Sequence, residues 1–336
     1  MTAYVLRRLL LMIPTLFGIT LICFVLIQFV PGGPVEQQIA KVRGMSSNRG
    51  SSGVSISEAE IANIKAYYGF DQPAPVRYVR WVGNLLRLDL GKSYAYQKPV
   101  WDVIMSKMPI SLFFGLTSFF LSYLVSIPLG VAKAIGNRSA FDTASSIFIF
   151  AGYIVPSYAL GVLLIVFFGG GTFFDWFPIS GAVSDNFESL NSTGKALDFL
   201  HHMVLPMICY MASEFALLTM LMKNTLLDEL NKDYIRTALV KGLSYRQAIW
   251  RHGLRNALIP LATGAGEILT VMFAGSLLIE RVFDIDGMGL LFYSSITDRD
   301  YNVVLGLIVL TSIMAVLGRL LADLLYVAVD PRIRLH

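Results

Sequence analysis

The sequence predicts an all-α integral membrane protein with six transmembrane helices, and three observations predict it. First, hydrophobic residues make up 55% of the 336 residues and charged residues only 15%, whereas a soluble domain carries about 25% charged side chains. With a mean hydropathy of +0.62, most of the surface is suited to lipid, which excludes a water-soluble globule. Second, six apolar runs fall at 9–30, 110–132, 143–168, 204–222, 258–279 and 303–327. Crossing a hydrocarbon core about 30 Å thick takes about 20 such residues in a helix. Third, lysine and arginine are placed so as to orient those runs. Arg7 and Arg8, then Lys133 and Arg138, then a loop at 223–257 with seven Lys and Arg residues, then Arg332 and Arg334 share one side if six helices alternate. The positive-inside bias makes that side cytoplasmic, with both termini on it.

The first run is longer than a signal-peptide apolar region of about 7–15 residues, and Val30-Pro31-Gly32-Gly33-Pro34 offers no small-residue cleavage site. It is expected to stay as a helix, so that residues 1–30 form a cytoplasmic tail and the first span. The segment 31–109 is then extracytoplasmic; segments beyond about 60 residues translocate largely regardless of charge. Its Ser/Gly/Asn-rich stretch at 41–55 reads as a flexible linker. Ser57 with Glu60 makes a capping box that opens a helix through Ile61, Ile64 and Tyr68. Gly69-Phe70-Asp71-Gln72-Pro73 stops it. A second amphipathic stretch at 76–88 places Val79, Val82, Leu85 and Leu86 on one face. The segment is therefore expected to form a small extracytoplasmic helical insertion after helix one. Residues 110–327 hold helices two to six, and 328–336 a cytoplasmic tail.

Catalytic chemistry is poorly supported. Gly91-Lys92-Ser93 ends like a phosphate-binding P-loop, but Leu86 stands where the first glycine is required. Gly50-Ser51-Ser52-Gly53 resembles an intramembrane protease string, yet it sits in a polar linker without an activating base. His201, His202, His252 and His336 offer no zinc-type helix pair, and Cys23 and Cys209 lie in apolar stretches. A net charge of +4 gives no support to a nucleic-acid partner.

The loop between spans four and five is more informative. A helix through Ala238 and Gly242, spaced i and i+4, presents a small-residue stripe that another backbone can approach. Gly242 breaks that helix, Ser244 caps the next, and Tyr245 to Asn256 forms a second helix ending at Pro260. Such a helix-turn-helix, ringed by basic residues, is shaped to enter a groove on a soluble partner.

Tyr234, Arg236, Thr237, Ala238, Lys241, Gly242 and Leu243, followed by Arg251, His252, Arg255, Asn256, Ala257 and Pro260, resemble the cytoplasmic coupling-loop motif of ATP-binding cassette importer permeases. The wording is that of the dipeptide and oligopeptide branch. Tyr4 with Arg7-Arg8-Leu9, the Gly69 to Pro73 turn, Ser126-Ile127-Pro128-Leu129-Gly130 and Val329-Asp330-Pro331-Arg332 extend the likeness along the chain. Pro31-Gly32-Gly33-Pro34-Val35, Lys223-Asn224 and Gly275 to Glu280 look most like the first permease of microcin C and oligopeptide importers. One departure is Arg236, which stands where the wider permease family has glutamate.

The resemblance implies a type I permease fold in the bacterial plasma (inner) membrane. It implies a heterodimer with a second homologous permease, two ATPase subunits that carry ATP and Mg, and an extracytoplasmic peptide-binding protein. No cofactor is expected on this chain, and its role is transport of oligopeptides or peptide-like compounds such as microcin C, not catalysis. Arg236, Thr237, Ala238, Lys241 and Gly242 are then the ATPase-coupling residues, with Ala238 and Gly242 as the contact stripe. Nickel-chelate or oligosaccharide cargo within the same branch, and a stand-alone secondary transporter, are the alternatives. No matched halves suggest the last.

Glu214 and Glu267 fall inside spans four and five. A charge at the bilayer centre costs at least about 2.5–3.5 kcal/mol, so both are expected to point inward, either lining a path for cationic cargo or pairing with a neighbouring helix. Pro156-Ser157 interrupts span three at mid-membrane, a bend beside that path or a feature of packing alone.

Overall fold

A computed structural model describes residues 2–29, 70–171 and 173–329 and a few positions between 33 and 66. The Ser57 capping box, the 41–55 linker and the Gly50 to Gly53 string lie outside the described residues. The helices are α1 (Thr2–Phe29), α2 (Ala74–Leu85), α3 (Val100–Ile135), α4 (Ala140–Ile154), α5 (Ser157–Phe168), α6 (Ser192–Leu230) and α7 (Asp233–Val240). They continue with α8 (Tyr245–Ala274), α9 (Leu277–Val282), α10 (Met288–Thr297) and α11 (Tyr301–Val329). Five helices are long and apolar enough to cross a membrane, and six if the bent pair α4 and α5 counts as one span. Among the described residues, an isolated antiparallel bridge from Lys92 to Pro99 is the only strand-like pairing. The chain divides into two compact units: Met1–Val5 with Ile110–Leu290 and Met314–His336, and Leu6–Pro109 with Leu291–Ile313.

In the first unit the break between α4 and α5 turns the chain by 103°. Pro156 supplies the cause, since it lacks an N–H for the helix ladder and forces the residue before it out of the helical region. Val155 is accordingly extended, with φ −74° and ψ 123°. The pair nevertheless runs antiparallel along α6. Asp142 meets Lys223, Ser157 Oγ lies 3.3 Å from Ser213 Oγ, and a Cβ on Gly161 would lie 3.4 Å from Cys209 Sγ. From Lys223 to Cys209 is about 21 Å of helix at 1.5 Å per residue, so the bent pair follows α6 for most of a membrane thickness. That progression is what one crossing span produces and a re-entrant loop does not.

Close backbone approach supplies the packing. A Cβ on Gly266 would fall 2.4 Å from Ala322 Cβ and 2.5 Å from Gly318 O, so α8 and α11 touch through glycines, as membrane helices do where apolar burial gives no driving force. Phe114, Met203, Leu205, Cys209, Ile279 and Phe283 form a buried cluster joining α3, α6 and α9.

Span five differs from its expected extent. The helix begun at Tyr245 does not end at Pro260 but continues through a π turn (Ile249–Gly253) and a 3-10 turn (Ala265–Glu267). Pro260 sits in the first turn of its helical stretch, where its missing N–H is not needed. The helix ends at Ala274, short of the expected 279, because Gly275 takes φ +64°. Beyond it, the buried Glu280 carboxylate organises the chain by accepting from Ser276 N at 2.9 Å, Leu290 N at 2.7 Å and the Tyr210 hydroxyl at 3.2 Å.

In the second unit, α2 is amphipathic as expected but buries a different face. Tyr78 is 7% exposed while Val79 is 70% and Leu86 82% exposed. Tyr78 packs on Phe24 and Leu305, and its hydroxyl lies 3.0 Å from Thr20 Oγ1. An aromatic ring with a polar tip offers more buried area and a hydrogen bond, which outweighs the aliphatic stripe read from spacing. The P-loop fragment is structural: buried Ser93 donates to Asp300 Oδ2, and Gly91 N donates to Asp89 Oδ1 at 2.8 Å.

Candidate functional site

The loop between α6 and α8 makes the helix, turn and helix that its sequence predicts. Asp233 lies in the first turn of α7, where a carboxylate suits the helix dipole. Gly242 has φ +89°, a conformation that side chains resist, and its N–H donates back to Leu239 O at 2.9 Å. Ser244 then caps α8: its Oγ accepts from Gln247 N at 3.3 Å, and its N–H donates to Gln247 Oε1 at 3.0 Å.

Ala238 and Gly242 differ in exposure, the first buried and the second open. Ala238 is 8% exposed and Ile235 1%, and this face of α7 packs against the first turns of α8. A helix of eight residues is too short to persist in water unaided, and Ile235 and Ala238 anchor it to its own chain. Arg236, Thr237, Lys241 and Gly242 are exposed, together with Val240 at 89%, a residue that spacing did not single out. The Thr237 hydroxyl donates to Asp233 O at 2.9 Å. Arg236 lies 3.7 Å from the exposed Asp233 carboxylate, a contact worth at most about 1 kcal/mol. The outward face is thus an apolar tip flanked by cations.

Motif residues fix the base of the loop. The Tyr234 hydroxyl donates to Glu229 Oε2 and accepts from Asn256 Nδ2 at 3.1 Å; Lys232 Nζ donates to Glu229 Oε1 at 2.5 Å. Burial, then the neighbouring Glu229 carboxylate, pushes the Tyr234 phenol up to about 12, so it remains a donor at neutral pH.

A second group, of which the sequence showed only Lys133 and Lys223 as orienting charges, ties α6 to its neighbours. Asp142, at the start of α4, accepts from Lys223 Nζ at 2.8 Å on both oxygens and from Arg138 N at 3.0 Å. Lys133, fully buried near the end of α3, lies 3.1 Å from Asp142 Oδ1 and donates to Asp142 O, Ser145 Oγ and Ser146 Oγ at 2.9, 2.8 and 2.8 Å. Every polar atom of the cluster has a partner, the condition under which buried ions are tolerated. A lysine closing one apolar run and an aspartate opening the next was the available signal.

Of the candidate path residues, Ser157 meets Ser213, next in sequence to Glu214, and Glu214 is half-buried in α6. Pro156 is exposed at the break. Glu267 closes the 3-10 turn of α8; its side chain lies outside the described residues.

Residues 126–335 match the family described as the binding-protein-dependent transport system inner membrane component. The chain is 42% identical to the peptidoglycan transport system permease protein YejB of Agrobacterium fabrum, over 99% of this chain and 98% of that protein. It is 41% identical to the inner membrane ABC transporter permease protein YejB of Escherichia coli, over 99% of each. It is 35% identical to the oligopeptide transport system permease protein AppB of Bacillus subtilis, again over 99% of each.

Removing the Asp142 carboxylate leaves the buried Lys133 without its counter-ion, which costs about 3–5 kcal/mol. Thermal unfolding of the purified protein is expected to show Asp142→Ala strongly destabilised, and Asp142→Ala with Lys133→Met to recover much of the loss.

Proposed function

The chain belongs to the binding-protein-dependent transport system inner membrane component family, and from that premise we propose which cargo it carries and which face receives the ATPase. Membership makes it a multi-pass inner-membrane permease of a peptide-type ABC importer, a transport component and not an enzyme. The cargo proposed is short peptides and compounds built on them. Relatives are named for oligopeptide and for peptidoglycan transport, and a short peptide is the chemistry common to both. Microcin C, a peptide-like compound, falls in the same class.

The outward face of α7 carries the assignment of the coupling site. Val240, Arg236, Thr237, Lys241 and the Gly242 turn form the proposed contact with an ATPase subunit, while Ala238 and Ile235 hold the helix to its own chain. With this loop in the cytoplasm, both termini are cytoplasmic and residues 31–109 extracytoplasmic, facing a peptide-binding protein. A second permease and a second ATPase complete the assembly, with Mg and ATP on the ATPases. Closure of the ATPases moves α7, and Tyr234, Asn256 and the Asp142 cluster pass that motion to α3, α4 and α6 as packed ends rather than as a free loop. Glu214, half-buried beside the Ser157–Ser213 contact, is proposed to face the cargo route at the break in span three.

Placing a carboxylate on the docking tip desolvates an unpaired charge at several kcal/mol, so Val240→Glu is expected to cut peptide uptake by about tenfold or more. The ATPase activity of the purified complex should then no longer respond to the loaded binding protein, while membrane insertion and Tm are unchanged. Normal uptake by Val240→Glu would remove the assignment. Glu214→Gln is expected to lower uptake of basic peptides by about fivefold, the equivalent of about 1 kcal/mol, with neutral peptides little affected; equal losses for both would exclude a charge-reading role.

A further inference from the structure

The second unit holds a cavity of about 210 Å³. Its walls come from the last turns of α1 (Gln28), from α2 (Arg77, Arg80, Trp81) and from the first turns of α11 (Tyr301, Asn302). Two donors in it are unused: Arg77 Nε and Trp81 Nε1 are buried without a hydrogen-bond partner. Each unmet buried donor costs about 1–3 kcal/mol, and two in one small cavity mark a place for an acceptor.

The charge balance gives its sign. Arg77 donates to the neutral Gln28 Oε1 and stacks 4.3 Å from the centroid of Phe70. Among the described residues no carboxylate pairs with Arg77 or Arg80. Asp89, the acid in the lining, already accepts from Gly91 N at 2.8 Å. Burial pulls the Arg77 guanidinium below its ordinary value.

We propose that this cavity holds the phosphate of an anionic phospholipid headgroup, gripped by Arg77, Arg80 and the Trp81 indole N–H. Size argues against a peptide, since pockets for drug-sized ligands run from about 300 to 1,000 Å³. Position argues for lipid. The walls are the ends of two membrane-spanning helices, where tryptophan, tyrosine and arginine sit at headgroup level. Val79 on α2 and Leu86 and Leu88 just past its end are exposed by 70, 82 and 88%, an apolar edge suited to the headgroup layer. Arginine forms paired charge-assisted hydrogen bonds to a phosphate.

Native mass spectrometry of the full-length permease complex, equilibrated with equal amounts of dioleoyl phosphatidylglycerol and dioleoyl phosphatidylcholine, tests this. The wild type is expected to retain phosphatidylglycerol with about tenfold preference, the scale of a charged hydrogen bond. Arg77→Gln with Arg80→Gln should bring the two lipids to parity. Trp81→Phe, which keeps the ring packing and removes only the N–H, should weaken the preference. Arg7→Gln with Arg8→Gln, at the other end of α1, should leave it intact. Equal retention of both lipids by the wild type, or an undiminished preference in both the Arg77/Arg80 and Trp81 variants, would overturn the proposal. Inorganic phosphate displacing the phosphatidylglycerol without loss of Arg77 dependence would also overturn it, by identifying a free-anion site.

Discussion

Asp142 is one carboxylate shared by two lysines, and the membrane domain is assembled around that sharing. A charge inside an apolar bundle is tolerated only when paired and fully hydrogen-bonded. Here the pairing draws Lys133 at the end of α3, Asp142 at the start of α4 and Lys223 in the last third of α6 to one point. With those ends fixed, the 103° break at Pro156 can be carried without loss of register, because α4 and α5 each remain held to α6 on either side of it.

The loop that follows α6 inherits this rigidity. Lys223 holds α6 a short distance before Leu230, and the Glu229, Lys232, Tyr234 and Asn256 contacts close the gap between α6 and α8. α7 adds its own anchor through Ile235 and Ala238. A force applied to the exposed side of α7 is therefore borne by helix ends and not dissipated in a flexible hairpin, as an ATP-driven permease requires.

Much of this was legible in the sequence because it rests on local rules. The spans follow from apolar length, the bend from a proline in mid-run, and the helix break and cap at Gly242 and Ser244 from the conformations those residues favour. What escaped rests on tertiary contact. Spacing placed Ala238 on a stripe but could not tell which side of a short helix faces its own chain. Hydrophobic periodicity picked Val79 where an aromatic ring with a polar tip, Tyr78, took the interior. Pro260 looked like a helix stop because its place within a longer helix depended on turns around it that sequence does not announce. The Asp142 cluster joins residues 81 positions apart, and only the fold brings them together.

The proposed coupling makes peptide movement through this permease depend on an ATPase engaged at α7. Uptake of a labelled oligopeptide into proteoliposomes tests it directly, with the permease pair and binding protein reconstituted with or without the ATPase subunits and ATP. Uptake against a gradient is expected only in the complete vesicles with ATP on the α7 side. Concentrative uptake by vesicles that hold the permeases alone would contradict it.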